Sequence, residues 1–261
     1  MSEFAVETVA TELLACEIER RDREPFTDAW PSLGVDEGYA VQDETLRRRL
    51  ARGEALTGVK LGLTSRAKQE RMNVRMPLVG WLTDAMILPT GVPVPADRFI
   101  HPRVEPELVF VMGRDLYGPG ISAAVAMAAV DWVCGGAEII DSRYRDFRFR
   151  AFDVLADNTS SGAYITGPVF LHPDQVNLAG ESVAVEVDGR IVDSATGAAV
   201  LGHPAEALAL AANVLAKRGL GIKAGQIVLT GGVTDACVVN PGARIAFHFG
   251  HLGSLHIRGG E

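Results

Sequence analysis

The chain has 261 residues, 48% of them hydrophobic, with 25 basic and 33 acidic side chains and a net charge of −8. That is enough apolar mass for one sizeable core, and an acidic balance without a long basic run argues against nucleic acid as a partner. Three scattered cysteines, Cys16, Cys134 and Cys237, an N-terminus without a basic start, and no apolar stretch read as long enough for a bilayer together predict a cytoplasmic protein with no membrane and no disulfide framework.

Residues 3–22 carry Val6, Val9, Leu13, Leu14 and Ile18 near helical spacing, which predicts an amphipathic helix. A loop over Pro25 to Leu33 leads to a second helix, with Asp36 as N-cap and an end near Gly53. Val59 to Leu63 reads as a buried strand, and Ser65 as the cap of a short helix over Arg66 to Met72. From residue 78 the texture changes to short extended pieces broken by Gly and Pro: Leu78 to Trp81, Ala85 to Leu88 and Gly91 to Val94. Val104 to Met112 is a strand, Ile121 to Val133 an Ala-rich helix, and Ala137 to Ile140 and Ala163 to Thr166 are strands again. Val183–Val187 and Arg190–Asp193 flank Asp188-Gly189, the signature of a hairpin with a type I′ turn. A helix from His203 to Lys217 is stopped by Gly219 and Gly221, and four strands close the chain: Gln226–Thr230, Ala236–Val239, Arg244–Phe249 and Ser254–Arg258. Helices first and then a punctuated β region is an α+β pattern with a mainly β catalytic body. One domain over 1–261 is expected, with 1–55 as an N-terminal helical subregion and 56–261 as the β-rich body.

Glu105 and Glu107 in His101-Pro-Arg-Val-Glu-Pro-Glu107, and Glu138 in Ala137-Glu-Ile-Ile-Asp141, lie in or beside apolar runs. Glutamate is almost never fully buried unless it is paired or binds a metal. Residues two apart on a strand share a face, so Glu105 and Glu107 converge. Oxygen ligands of this kind suit a hard cation, Mg²⁺ or Mn²⁺. The plainer reading is a solvated sheet face, and Glu138 in a second apolar strand weighs against it. Pro106 cannot donate to a ladder, so the pair is expected at an edge, a bulge or a strand end.

Lys60 sits inside the apolar run Gly58-Val-Lys-Leu-Gly-Leu63, where a lysine needs a carboxylate partner or must snorkel out. The polar loop Ala156-Asp-Asn-Thr-Ser-Ser-Gly162 and the Gly pair of Leu229-Thr-Gly-Gly-Val-Thr234 can each hold carboxylate or carbonyl oxygens, or simply build turns. Arg143, Arg145, Arg148 and Arg150 read more readily as a salt-bridged surface segment than as a clamp, and His248, His251 and His256 as structural or surface residues.

These pieces resemble the hydratase/decarboxylase branch of the fumarylacetoacetate hydrolase superfamily. The likeness rests on Lys60-Leu-Gly-Leu-Thr-Ser-Arg-Ala-Lys68, Gly80-Trp-Leu-Thr-Asp84, the Glu105 and Glu107 motif, Ala137-Glu-Ile-Ile-Asp-Ser-Arg-Tyr-Arg-Asp-Phe147, Ala156-Asp-Asn-Thr-Ser-Ser161, Gly202-His-Pro-Ala-Glu206 and Ala224-Gly-Gln-Ile-Val-Leu-Thr-Gly-Gly232. The resemblance implies layered mixed β-sheets, Mg²⁺ or Mn²⁺ on Glu105, Glu107 and Glu138, and a substrate-facing Lys60. With it, Asn158, Ser161, Gly232 and Thr234 become candidates for binding the substrate. It further implies decarboxylation of a 2-oxo dicarboxylate, 2-oxo-3-hexenedioate, in meta-cleavage catabolism of aromatic compounds. Alternatives are hydration of 2-oxopent-4-enoate, C–C hydrolysis of an acylpyruvate, or a silent subunit of a hydratase. A homo-oligomer, and a complex with a hydratase that takes the product, are the partners it implies.

Overall fold

A computed structural model describes residues 4–64 and 77–261. The Arg66–Met72 helix, its Ser65 cap and residues 65–68 of the Lys60 motif lie outside the described residues.

Two helices open the chain, α1 (Val6–Glu19) and α2 (Val35–Ala51). α2 begins one residue before Asp36. Its cap is Gly34, whose N–H donates to the Glu37 carboxylate at 2.9 Å. The strands then build two sheets. The larger takes β1 (Leu56–Gly62), β2 (Leu78–Thr83), β3 (Arg103–Met112), β4 (Val130–Ile140), β5 (Ser161–Leu171) and β8 (Ile227–Gly232) in the order β2-β1-β8-β3-β4-β5, with β9 (Cys237–Val238) beside β3. β1 and β8 run parallel, and the other pairs in this sheet are antiparallel. The smaller sheet is the antiparallel set β11-β10-β6-β7, from β6 (Ser182–Val187), β7 (Arg190–Thr196), β10 (Arg244–Phe249) and β11 (Ser254–Arg258). Asp188 and Gly189 both have positive φ at the β6–β7 turn, as a type I′ turn requires. This is the α+β architecture of layered mixed sheets with N-terminal helices that the sequence predicts.

The main core lies on one face of the larger sheet. Val59 and Leu61 of β1, Val104, Leu108 and Phe110 of β3, and Val133, Ala137 and Ile139 of β4 point there, against Val183, Val185, Phe247 and Leu255 of the smaller sheet. The sheets approach closely: a Cβ on Gly135 would stand 2.6 Å from the Phe249 ring. Helix α5 (Pro204–Ala216) joins the same core through Leu208, Ala211, Ala212 and Leu215. Its N-cap is His203, whose Nδ1 accepts from Ala205 N–H at 3.1 Å. The segment Gly197–Ala216 is long and apolar enough by composition to cross a membrane, contrary to the sequence reading. In the fold it is a short turn followed by a largely buried core helix.

Two expectations need correction. The helix expected over Ile121–Val133 is only the five residues of α3 (Ala123–Met127), and β4 begins at Val130. Val133 pairs with Phe110, and β4 gains a ten-residue partner in β3, so sheet pairing overrides the helix propensity of a short alanine run. Ala85–Leu88 is extended only from Ile87, which bridges to Tyr164: Asp84–Met86 is a 3₁₀ turn, bent because the Asp84 carboxylate accepts from Ala55 and Ala85 N–H.

Helix α4 (Ala151–Ala156) was not anticipated. It packs on α2 at Gly38, where a Cβ would lie 2.8 Å from Leu155 Cβ and 3.0 Å from the Phe152 carbonyl. Buried Asp153 accepts from Thr27 N–H at 3.1 Å and from the Thr27 hydroxyl at 2.5 Å, fastening the loop after α1 to α4. Gly38→Val should force these helices apart and destabilise the protein by about 1–3 kcal/mol. Thermal unfolding with and without the substitution checks this, and an unchanged Tm would contradict the packing described.

Candidate active site

Strand alternation places the three glutamates on the opposite face of the larger sheet from the main core. Glu105 pairs directly across from Glu138, and Glu107 lies two residues along β3, opposite Gly136. One carboxylate oxygen from each comes within 4.8 Å of the others, and all three residues are buried. Beyond them on the same face is a small apolar cluster of Leu82, Met86, Val109, Cys134, Tyr164 and Leu229.

β3 is a central strand, yet Pro106 is accommodated at an irregularity. The register against β8 shifts between Glu107 and Val109. The proline nitrogen falls on that interrupted side, since its own carbonyl accepts from Val233 N–H there at 2.9 Å. β8 also supplies glycines where side chains would collide with the site. A Cβ on Gly232 would stand 2.3 Å from Glu105 Oε2, and one on Gly231, at φ +108°, 2.0 Å from Thr64 Oγ1. Gly231 N–H donates to Glu107 Oε2 at 2.6 Å.

Lys60 comes from β1 and is buried to 2% exposure. Its Nζ stands 2.9 Å from Glu138 Oε2 and donates to the Thr159 carbonyl at 3.1 Å. Apart from that Lys60 contact, Glu107 Oε1 and both oxygens of Glu138 have no hydrogen-bond partner among the described residues. Burial disfavours the ammonium, but Glu138, then Glu105 and Glu107, outweigh it and hold the lysine above its ordinary pKa. Glu107 is pushed well above the usual carboxylate range by burial first, then by Glu138 and Glu105. Glu138 is raised too, by burial, with Lys60 opposing. Three buried carboxylates whose oxygens converge within 4.8 Å, offering only oxygen ligands, fit a hard divalent cation.

Thr159 reaches Lys60 through an unusual turn. Asn158, Thr159 and Ser160 have φ of 49°, 53° and 58°, three consecutive left-handed residues without a glycine among them. Such a conformation costs roughly 1–2 kcal/mol per residue. Asn158 holds the turn in place: its Oδ1 accepts from Trp81 N–H at 2.8 Å and its Nδ2 donates to the Trp81 carbonyl at 2.9 Å. Gly80 makes room, since a Cβ there would meet Thr159 Oγ1 at 2.4 Å and Lys60 Cδ at 3.0 Å.

The structure therefore brings Glu105, Glu107, Glu138, Lys60 and Gly232 together. Thr234 is buried in the same segment after β8, its hydroxyl donating to the Asp235 carbonyl at 3.1 Å. Asn158 and Ser161, expected as substrate ligands, both make internal contacts. The Asn158 amide is engaged with Trp81, and Ser161 Oγ faces Met86 Sδ at 3.9 Å. Arg143 is no surface residue. It is buried in an ion pair with Asp157 and donates to the carbonyls of Asp141 and Asp157 at 2.6 Å each. Arg145 and Arg148 do form exposed salt bridges, with Asp22, Glu24 and Asp28. His248 and His251 pair with Glu186 and Glu181 at the smaller sheet. Sequence reasoning missed Thr64 and the backbone groups of Thr159 and Gly231, because main-chain contacts leave no residue-type signal beyond the glycine itself.

Comparison with known proteins agrees with this geometry. Residues 51–258 match the fumarylacetoacetate (FAA) hydrolase C-terminal family model. The chain belongs to the fumarylacetoacetate hydrolase family. Among its curated relatives, 4-oxalocrotonate decarboxylase of Pseudomonas putida is 40% identical over 242 residues, covering 93% of this chain and 92% of the relative. The 2-hydroxyhexa-2,4-dienoate hydratase of Comamonas testosteroni is 35% identical, with 97% of each chain covered. The solved structure of 4-oxalocrotonate decarboxylase from Pseudomonas putida G7, complexed with magnesium and adipate, superposes with a TM-score of 0.95 at 38% identity, over 99% of both chains.

Two outcomes are expected for this fumarylacetoacetate hydrolase family site. Glu107→Gln should weaken Mg²⁺ or Mn²⁺ binding by at least about 100-fold, as read by titration calorimetry. Wild-type affinity in the variant would remove Glu107 from the ligand set. The raised values of Glu107 and Glu138 favour the metal-free fold at low pH, a contribution lost as pH rises through those folded-state values. A cation binds the deprotonated set and releases protons. The increase in Tm on adding Mg²⁺ should therefore grow as pH rises from acid towards neutral. An increment that shrinks over that range would contradict the assignment.

Proposed function

We infer that this protein is a metal-dependent carboxy-lyase that converts 2-oxo-3-hexenedioate (4-oxalocrotonate) to 2-hydroxypenta-2,4-dienoate and CO₂. The reaction belongs to meta-cleavage catabolism of aromatic compounds. Similarity to 4-oxalocrotonate decarboxylases along nearly the whole chain, at 40% identity in sequence and a TM-score of 0.95 in structure, supports the reaction. The observation that carries the site is the convergence of buried carboxylate oxygens from Glu105, Glu107 and Glu138, with a buried lysine beside them.

In the substrate, the leaving carboxylate is vinylogous to the 2-oxo group. The bond to that carboxylate breaks, CO₂ departs, and its electron pair moves through the alkene onto the 2-oxo oxygen. The barrier lies in the negative charge growing on that oxygen. Glu105, Glu107 and Glu138 would hold Mg²⁺ or Mn²⁺, which would supply Lewis-acid stabilisation of this charge. Lys60 is kept protonated by the surrounding carboxylates, so it adds positive charge there and can deliver the proton that converts the enolate to the dienol. Thr159 and Glu138 fix the direction of its Nζ. The segment from Gly232 to Thr234 passes beside Glu105 and is the element we assign to the substrate's C1 carboxylate. Asn158 is assigned to holding the turn that carries Thr159.

Hydration of 2-oxopent-4-enoate is the second reading, favoured by the 35% identity to a dienoate hydratase over 97% of both chains. Both readings use the same metal and substrate core. The protein is further proposed to act in the cytoplasm, where its free cysteines stay reduced. It is proposed to self-associate, which the exposed Ile191 and Val192 of edge strand β7 support, and to pass its product to a hydratase partner.

Metal-stripped protein is expected to release CO₂ from 2-oxo-3-hexenedioate only after Mg²⁺ or Mn²⁺ is restored. Metal-dependent consumption of 2-hydroxypenta-2,4-dienoate with no CO₂ release would transfer the assignment to the hydratase. Lys60→Met should lower kcat by about 10²–10³-fold while leaving metal binding largely in place. Full turnover in that variant would remove Lys60 from the chemistry.

A further inference from the structure

Four buried polar atoms without a hydrogen-bond partner belong to residues that line one cavity, between α2 and β2. They are Gln42 Oε1, Thr45 Oγ1, Arg49 Nε and Trp81 Nε1. Each of these residues is at least nine-tenths buried. Gln42, Thr45 and Arg49 follow one another at helical spacing on a single face of α2. Leu46, Thr83, Met86 and Asn158 complete the wall. About 10 Å³ is open to the centre of a water-sized sphere, which is the room one water molecule needs.

The chemistry of the four atoms is fixed by their other bonds. Gln42 Nε2 donates to the carbonyls of Val79 at 3.0 Å and Leu155 at 3.3 Å, so its amide cannot be turned round and Oε1 must be the free end. Arg49 spends its two terminal nitrogens on Glu17 and Glu54, leaving Nε. The Trp81 indole can only donate, and the Thr45 hydroxyl can donate or accept. The cavity therefore offers two fixed donors, one fixed acceptor and one group of either kind. A water molecule accepts two hydrogen bonds and donates two, which matches this set. The Gln42 oxygen disfavours an anion, Arg49 disfavours a cation, and four polar atoms disfavour an apolar occupant.

We propose that a buried water molecule is an integral ligand of this cavity and bridges α2 to Trp81. Its position gives it a positioning role. The Trp81 backbone is held by Asn158, and its side chain is held by the water. The neighbouring Gly80 packs on Lys60 Cδ. The water thus ties the N-terminal helical layer to the strand that supports Lys60.

The sign of a stability change tests this. Thr45→Ile adds bulk to the cavity and removes the hydroxyl. If a bonded water is displaced, three polar atoms are stranded, and Tm should fall by at least about 3 °C. A rise, or no change, would mean that a dry gap had been filled and would overturn the proposal. A high-resolution crystal structure of the unsubstituted protein gives a second reading that does not depend on the variant folding. Density for one water within hydrogen-bond reach of three or four of these atoms is expected. Direct bonds among the side chains, or no density, would overturn the proposal. Neither readout uses turnover, so this idea and the decarboxylase reading fail separately.

Discussion

Three carboxylates and one ammonium meet on a buried sheet face, and the rest of the site answers to the cost of that arrangement. Isolated charges in such surroundings would lose their ionisation rather than stay unpaired. The chain meets the cost with short, fixed contacts. Lys60 lies against Glu138, and Gly231 N–H points at Glu107. What these contacts leave over is a set of oxygens suited to an external cation. The protein therefore carries a deficit that its cofactor relieves, and metal affinity and fold stability share one origin.

The left-handed turn from Asn158 to Ser160 is a second expense at the same place. Strain of this kind persists only where neighbouring structure over-determines it. Here the Asn158 amide grips both polar groups of Trp81, Lys60 grips the Thr159 carbonyl, and Gly80 leaves the space. The return is orientation: a carbonyl aimed at Lys60 Nζ keeps a flexible side chain in one rotamer beside the carboxylates. A side chain that must place charge within a fraction of an ångström gains from being held at both ends.

Much of this was legible in the sequence. Apolar flanks around Glu105, Glu107, Glu138 and Lys60 announced buried charges, and period-two spacing put Glu105 and Glu107 on one face. The hairpin at Asp188-Gly189 and the helix after His203 followed from turn and cap chemistry. The misses have physical causes. The Ala-rich run after Ile121 has helix propensity, but pairing with β3 claims Val130 onward. Polar side chains in a row, Asn158 and Ser161 among them, carry no sign in the sequence of which way they face; here their contacts are with Trp81 and Met86. Arg143 looked like surface because its partner, Asp157, is set by a fold that residue spacing does not reveal. The main-chain groups of Thr159 and Gly231 have no letter in the sequence at all.

Strand order has one more consequence. β8, at residues 227–232, is inserted between β1 and β3, the strands that carry Lys60 and two of the glutamates. The pairing of β3 with β4 sets the three glutamates together, but Lys60 reaches them only across β8. The gap closes only when β8 arrives. Glu107 gains its backbone donor, and Lys60 its fixed distance from β3, in that same event. The lysine's place beside the carboxylates, unlike the convergence of the carboxylates themselves, therefore depends on a strand far along the chain.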